Sequence, residues 1–172
     1  MLKPESLDEA IKGCDYLVHS ASPFPLATPD DENALIKPAV EGTLSALRAA
    51  HIHKVKRVVI TSSIAAIYVQ KPVNKKDLYD ENDWSDPSIA VPYEKSKTLA
   101  EKAAWDFVQK LPESERFELV VINPALTWGP TLIPGDFSSE TLIADILRRK
   151  YPGTPKLMMA IVDVRDVSKA HV

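Results

Sequence analysis

Two kinds of hydrophobic spacing alternate along the chain. Short runs with an unbroken apolar centre and polar ends occur at 14–20 (Cys-Asp-Tyr-Leu-Val-His-Ser), 57–61 (Arg-Val-Val-Ile-Thr) and 118–123 (Glu-Leu-Val-Val-Ile-Asn). Each is bounded by polar residues or turn formers, which predicts buried strands. Between them, apolar residues recur every three or four positions. Ala39, Val40, Leu44, Leu47 and Ala50 mark a helix over 31–51, and Leu99, Ala103 and Phe107 mark one over 93–111. Leu142, Ile143, Ile146 and Leu147 are the inward positions of another over 139–151.

Punctuation supplies the rest. Ser6-Leu-Asp-Glu9 has the spacing of a capping box and predicts a short helix over 7–12, stopped at Gly13. Pro23, Pro25 and Pro29 predict a loop, and Pro38 is expected to kink the first long helix or to mark its true first turn. Residues 64–92 carry no periodicity and predict no regular element, 158–162 predicts a last strand, and 164–172 predicts a helix. Strand alternating with helix implies an α/β fold whose parallel sheet is covered on both faces, formed by residues 1–172 as one domain.

Composition narrows the function. With 45% hydrophobic and 26% charged residues, the chain is globular in composition, and its net charge of −3 offers nothing to nucleic acid or an anionic membrane. No apolar run suits a signal peptide or a membrane helix. The single Cys14 cannot close an internal disulfide, which suits the cytoplasm, and four histidines without ligand spacing argue against a metal site.

The candidate chemistry lies in Ser63, Tyr93 and Lys97. Tyr93-Glu-Lys-Ser-Lys97 places a phenol and an ammonium four residues apart on one helix face. A free phenol titrates near ~10, and a neighbouring ammonium would lower that value toward the range of acid–base catalysis. By spacing alone, Lys97 reads equally well as a solvated helix residue. Ser63 ends the second strand, on the side of such sheets where ligands bind, and its hydroxyl could hold a substrate carbonyl.

Motifs in one register then extend over nearly the whole chain: 17–24 (Leu-Val-His-Ser-Ala-Ser-Pro-Phe), Pro38-Ala-Val-Glu-Gly-Thr43, 57–63, 93–105, 123–130 (Asn-Pro-Ala-Leu-Thr-Trp-Gly-Pro) and 162–167. Together they resemble the extended short-chain dehydrogenase/reductase family. Within it they resemble the branch of dihydroflavonol, cinnamoyl-CoA and fungal methylglyoxal or ketone reductases. The resemblance implies a Rossmann-like NAD(P)-binding fold and reduction of a small aldehyde or ketone, with NADP(H) favoured over NAD(H). By position it implies Ser63 as carbonyl-orienting residue, Tyr93 as proton donor and Lys97 as ligand of the nicotinamide ribose. It also implies cofactor contacts from Ala21, Ser22, Pro124, Thr127 and Ser139.

The five glycines form no dinucleotide-gripping turn, so the resemblance implies that the 1–172 domain is incomplete, with its start after the first two strands and its end before the last substrate-side segments. Two alternatives stay open. One is a short non-catalytic paralogue that acts through a partner or through self-association along an exposed sheet edge. The other is the family's nucleotide-sugar epimerase and dehydratase branch.

Overall fold

The structure is a computed structural model and describes residues 4–22, 30–132, 138–153 and 159–172. The chain divides into two compact units, Met1–Asn123 and Pro124–Val172.

The first unit runs α1 (Pro4–Ile11), β1 (Tyr16–His19), α2 (Asn33–Ile52), β2 (Arg57–Thr61), α3 (Pro92–Lys110) and β3 (Glu118–Ile122). The strands pair in parallel in the order β1-β2-β3, with Val18 opposite Val59 and Val59 opposite Val120. Parallel neighbours need a crossover, which α2 and α3 supply. Both helices lie on one face, because Ala49 and Ala50 of α2, Ala104 and Val108 of α3, and Val58 and Ile60 of β2 share a single core cluster. Small residues in both helices let their backbones approach closely over the β-branched strand positions.

The sheet departs from the expected two-sided cover. Alternate residues of a strand face opposite sides, and those turned away from the helices include Tyr16 and Val18, 66% and 52% exposed. Only one face of β1 is inside, through Leu17 and His19.

Element boundaries moved for local reasons. The first helix begins at Pro4, a favoured first helical residue, so Ser6 sits inside it rather than at its cap. Pro38 neither begins α2 nor lies in its first turn. The helix already runs from Asn33, whose N–H is held by the Asp31 carboxylate at 2.9 Å, so Pro38 is an interior residue that withholds one backbone donor.

Residues 64–92 are more ordered than their sequence predicts. They contain 3₁₀ turns at Ile64–Ala66 and Pro72–Asn74. Buried Ser85 donates to the Ala65 carbonyl at 2.8 Å and accepts the Val69 N–H at 2.9 Å. The Lys102 ammonium lies 5.0 Å from the Trp84 ring centroid, tying this segment to α3.

The second unit contains β4 (Leu126–Trp128), α4 (Ser138–Leu147), β5 (Ile161–Asp163) and α5 (Val164–Ala170), with β4 and β5 parallel. The strand β4 was not expected, being only three residues long. Arg149, at φ 54, takes the left-handed conformation that ends α4, so the helix stops short of Tyr151. Ile146 and Leu147, expected to be inward, are exposed. The Asp163 carboxylate caps α5 by accepting the Arg165 N–H at 2.8 Å. Gly129 has φ +153, and a Cβ there would lie 2.5 Å from Cγ1 of Val164.

Met158 of the expected last strand lies outside the described residues, as does the loop of Pro23, Pro25 and Pro29. Among the described residues, no helix is long and apolar enough to cross a membrane.

Candidate active site

The carboxyl ends of β1, β2 and β3 and the amino-terminal half of α3 come together in the first unit. Helix α3 starts one residue before the Tyr93 that a sequence-based reading gives. Pro92 is its first residue, and the Glu94 carboxylate accepts the Val91 N–H at 3.0 Å. The other Glu94 oxygen accepts the Tyr68 hydroxyl at 3.0 Å, and the Lys95 ammonium meets Glu32 at 2.8 Å. The start of α3 is thereby held against both the 64–92 segment and the start of α2.

On that helix Tyr93 and Lys97 face the end of β2. Ser63 follows the strand in extended conformation, and its hydroxyl accepts the Ala65 N–H at 3.1 Å. The same hydroxyl is hydrogen-bonded to the Tyr93 phenol. The Lys97 ammonium lies 6.0 Å from the centre of the Tyr93 ring. Ser63, Tyr93 and Lys97, chosen from sequence, therefore converge in space.

Electrostatics differ from the expectation in one respect. Burial pushes the Tyr93 phenol above its usual value, and the Ser63 hydrogen bond only partly opposes this. The expected lowering by Lys97 is not found: burial is the larger cause, and the opposing one is the Ser63 hydroxyl rather than the ammonium standing off the ring. Lys97 itself is 8% exposed, and burial lowers it to about 8, with the Glu101 carboxylate pulling the other way. His19, at the end of β1, is held below its ordinary value by burial and then by Lys97. Its Nε2 lies 3.4 Å from the Thr43 hydroxyl.

Sequence inspection passed over Glu101, Asn123 and Ser62. Glu101 is 7% exposed, and its Oε2 accepts the Asn123 side-chain amide at 2.8 Å. The same amide nitrogen donates to the Ser63 carbonyl at 3.1 Å. The available signal was position: Glu101 follows Lys97 by one helical turn, on the stripe that includes buried Ala100 and Ala104.

A narrow recess beside Lys97 is lined by Ala21, Ser22, Thr43 and Ser62. The Ser62 hydroxyl is buried there with no hydrogen-bond partner among the described residues. A hydroxyl seeking a partner and a buried ammonium form a donor set suited to the hydroxyls of a ribose. Pro124, Thr127 and Ser139 belong to the second unit. There Thr127 donates to the Ala125 carbonyl at 3.2 Å, and Ser139 lies in α4 with its side chain outside the described residues.

Comparison with known proteins gives the site its context. The family model for the 3-beta hydroxysteroid dehydrogenase/isomerase family matches residues 1–172. Cinnamoyl-CoA reductase 1 of Arabidopsis thaliana is 39% identical over 172 residues, covering 98% of this chain and 48% of the relative. Dihydroflavonol 4-reductase of the same plant is 42% identical over 178 residues, covering 97% of this chain and 44% of the relative. Among solved structures, yeast methylglyoxal/isovaleraldehyde reductase complexed with NADPH superposes with a TM-score of 0.82 at 31% identity, over 98% of this chain and 54% of that one. The chain spans about half the length of the curated relatives it matches, and its parallel α/β architecture is that of the Rossmann-like reductases.

Proposed function

Because this chain belongs to the 3-beta hydroxysteroid dehydrogenase/isomerase family, we propose that it carries the proton-transfer centre of an NADPH-dependent reductase acting on a small aldehyde or ketone. The observation that carries this reading is the hydrogen bond between the Ser63 hydroxyl and the Tyr93 phenol, with the Lys97 ammonium 6.0 Å from that ring. Support also comes from the relatives, which are named reductases, and from the NADPH held by the yeast structure.

In this mechanism the Ser63 hydroxyl donates to the carbonyl oxygen of the substrate and fixes its orientation. Tyr93, kept protonated at neutral pH by burial, gives its phenolic proton to that oxygen as negative charge develops on it. Lys97, protonated below its value of about 8, stabilises the phenolate left behind. Lys97 and the recess of Ala21, Ser22 and Ser62 would hold the nicotinamide ribose, and Pro124, Thr127 and Ser139 are proposed as further cofactor contacts. NADPH, when bound, supplies hydride to the carbonyl carbon. The carbonyl gains one hydride and one proton and leaves as an alcohol.

The test is incubation of the protein with NADPH and a panel of aldehydes and ketones. Loss of NADPH absorbance matched mole for mole by alcohol, and abolished by Tyr93→Phe, is the expected result. NADPH binding without consumption against every carbonyl tried would overturn the reading.

A further inference from the structure

We propose that Glu101 is the positioning residue of this site, holding the Lys97 ammonium charged from one side and fixing the Ser63 backbone through Asn123 from the other. The proposal rests on the functional reading above for its purpose, but not for its geometry.

A carboxylate with 7% exposure is costly to keep ionised unless charge and hydrogen bonds compensate it. Glu101 has three such compensations. Its Oε2 accepts the Asn123 amide at 2.8 Å, its Oε1 lies 3.4 Å from the Trp105 indole nitrogen, and the Lys97 ammonium attracts it from one helical turn away. The Asn123 amide nitrogen that binds Glu101 also donates to the Ser63 carbonyl at 3.1 Å. One side chain thus links the end of β3, the residue after β2 and the catalytic face of α3. Displacing it moves the Ser63 backbone and removes charge support from Lys97 in the same event.

The charges around Lys97 make the effect directional. His19 from β1 and Tyr93 and Glu101 from α3 are its titratable neighbours, with the Thr43 and Ser62 hydroxyls completing the recess. Glu101 is the one group among them that raises the lysine. Burial alone drives Lys97 toward its neutral form, which cannot act as a cationic ligand or stabilise a phenolate.

The test titrates Lys97 directly, by NMR of the ¹³C-dimethylated chain with the lysine signal assigned through Lys97→Arg. In Glu101→Gln, nearly isosteric and still able to accept from Asn123, Lys97 is expected to titrate below its value in the unsubstituted chain. Glu101→Asp is expected to restore part of the difference. NADPH affinity, followed by tryptophan quenching, should weaken in Glu101→Gln by up to about tenfold per pH unit above the shifted titration and recover on acidification.

An unmoved Lys97 titration in Glu101→Gln overturns the proposal. If that variant does not fold, the Glu101 carboxyl resonance of the unsubstituted chain must report the Lys97 titration, and a flat response overturns the proposal too. These titrations need neither cofactor nor substrate. A chain that couples Glu101 to Lys97 but consumes no NADPH refutes the functional reading while leaving the coupling in place.

Discussion

The Ser63 hydroxyl and the Tyr93 phenol are hydrogen-bonded across the space between the end of β2 and the start of α3. Each residue is placed by its own element, so the bond measures how well strand and helix are set against each other. Ser63 serves twice, because the same hydroxyl caps the turn at Ile64–Ala66.

Ser63→Ala should therefore have two separable effects. Loss of the cap is expected to cost about 1 kcal/mol in chemical denaturation. Loss of the bond to the phenol leaves burial unopposed, so Tyr93 should titrate still higher in ultraviolet tyrosinate titration. A Tyr93 titration that stays in place would show that this bond does not tune the phenol.

Tyr93→Phe retains the ring and its packing but removes the proton. Turnover in the carbonyl assay should fall by ~10²–10⁴-fold, as for loss of a general acid, while NADPH affinity changes little. Near-normal turnover would remove Tyr93 from the mechanism.

Lys97→Met should trade function for stability. The drop from 10.5 to about 8 corresponds to roughly 3 kcal/mol of cost for burying the ammonium at neutral pH. Between those values the unfolded chain binds the proton more readily than the folded one, so the stability of the unsubstituted chain rises with pH across that window. The variant should be more stable below about pH 8, lose this advantage toward about pH 10.5, and bind NADPH more weakly. Denaturation curves at several pH values check the first two expectations; equal stability at neutral pH contradicts them.

His19 acts with the same sign at lower pH. Its folded value lies below the ordinary histidine value of 6.5 through burial and then Lys97, so the unfolded chain takes up a proton that the folded one refuses. The stability linked to this histidine is complete above about pH 6.5 and lost as pH falls further. His19→Gln should flatten melting temperature against pH in that acid range; an unchanged slope would assign the loss to other groups.

The elements that build the site were legible because each has a strong local signal. The apolar run 57–61 and the stripe through α3 give strand and helix without reference to anything distant. Ser63, Tyr93 and Lys97 came from a motif, and the fold brings them together. Residues 64–92 were not legible, since their order comes from Ser85 bonding to Ala65 and Val69 and from Gln70 bonding to the Trp84 carbonyl. Such bonds leave no period in the chain. Glu101 was missed for a related reason: a glutamate four residues after a lysine usually marks a solvated helix face, and only the arrival of Asn123 at the end of β3 shows that this one is enclosed.

Gly129 bears on how natural variation in this chain is to be interpreted. Every codon change to another amino acid adds a Cβ, and at this position that atom would lie 2.5 Å from Val164 on a backbone with φ +153. Purifying selection at codon 129 therefore reports that the second unit must fold, whatever its chemistry. Under the proposed mechanism, selection at codon 93 reports that a proton must be delivered. A lineage that kept glycine at 129 while its tyrosine drifted would have abandoned the proposed reduction and retained the scaffold, so the two codons together distinguish selection for that chemistry from selection for shape.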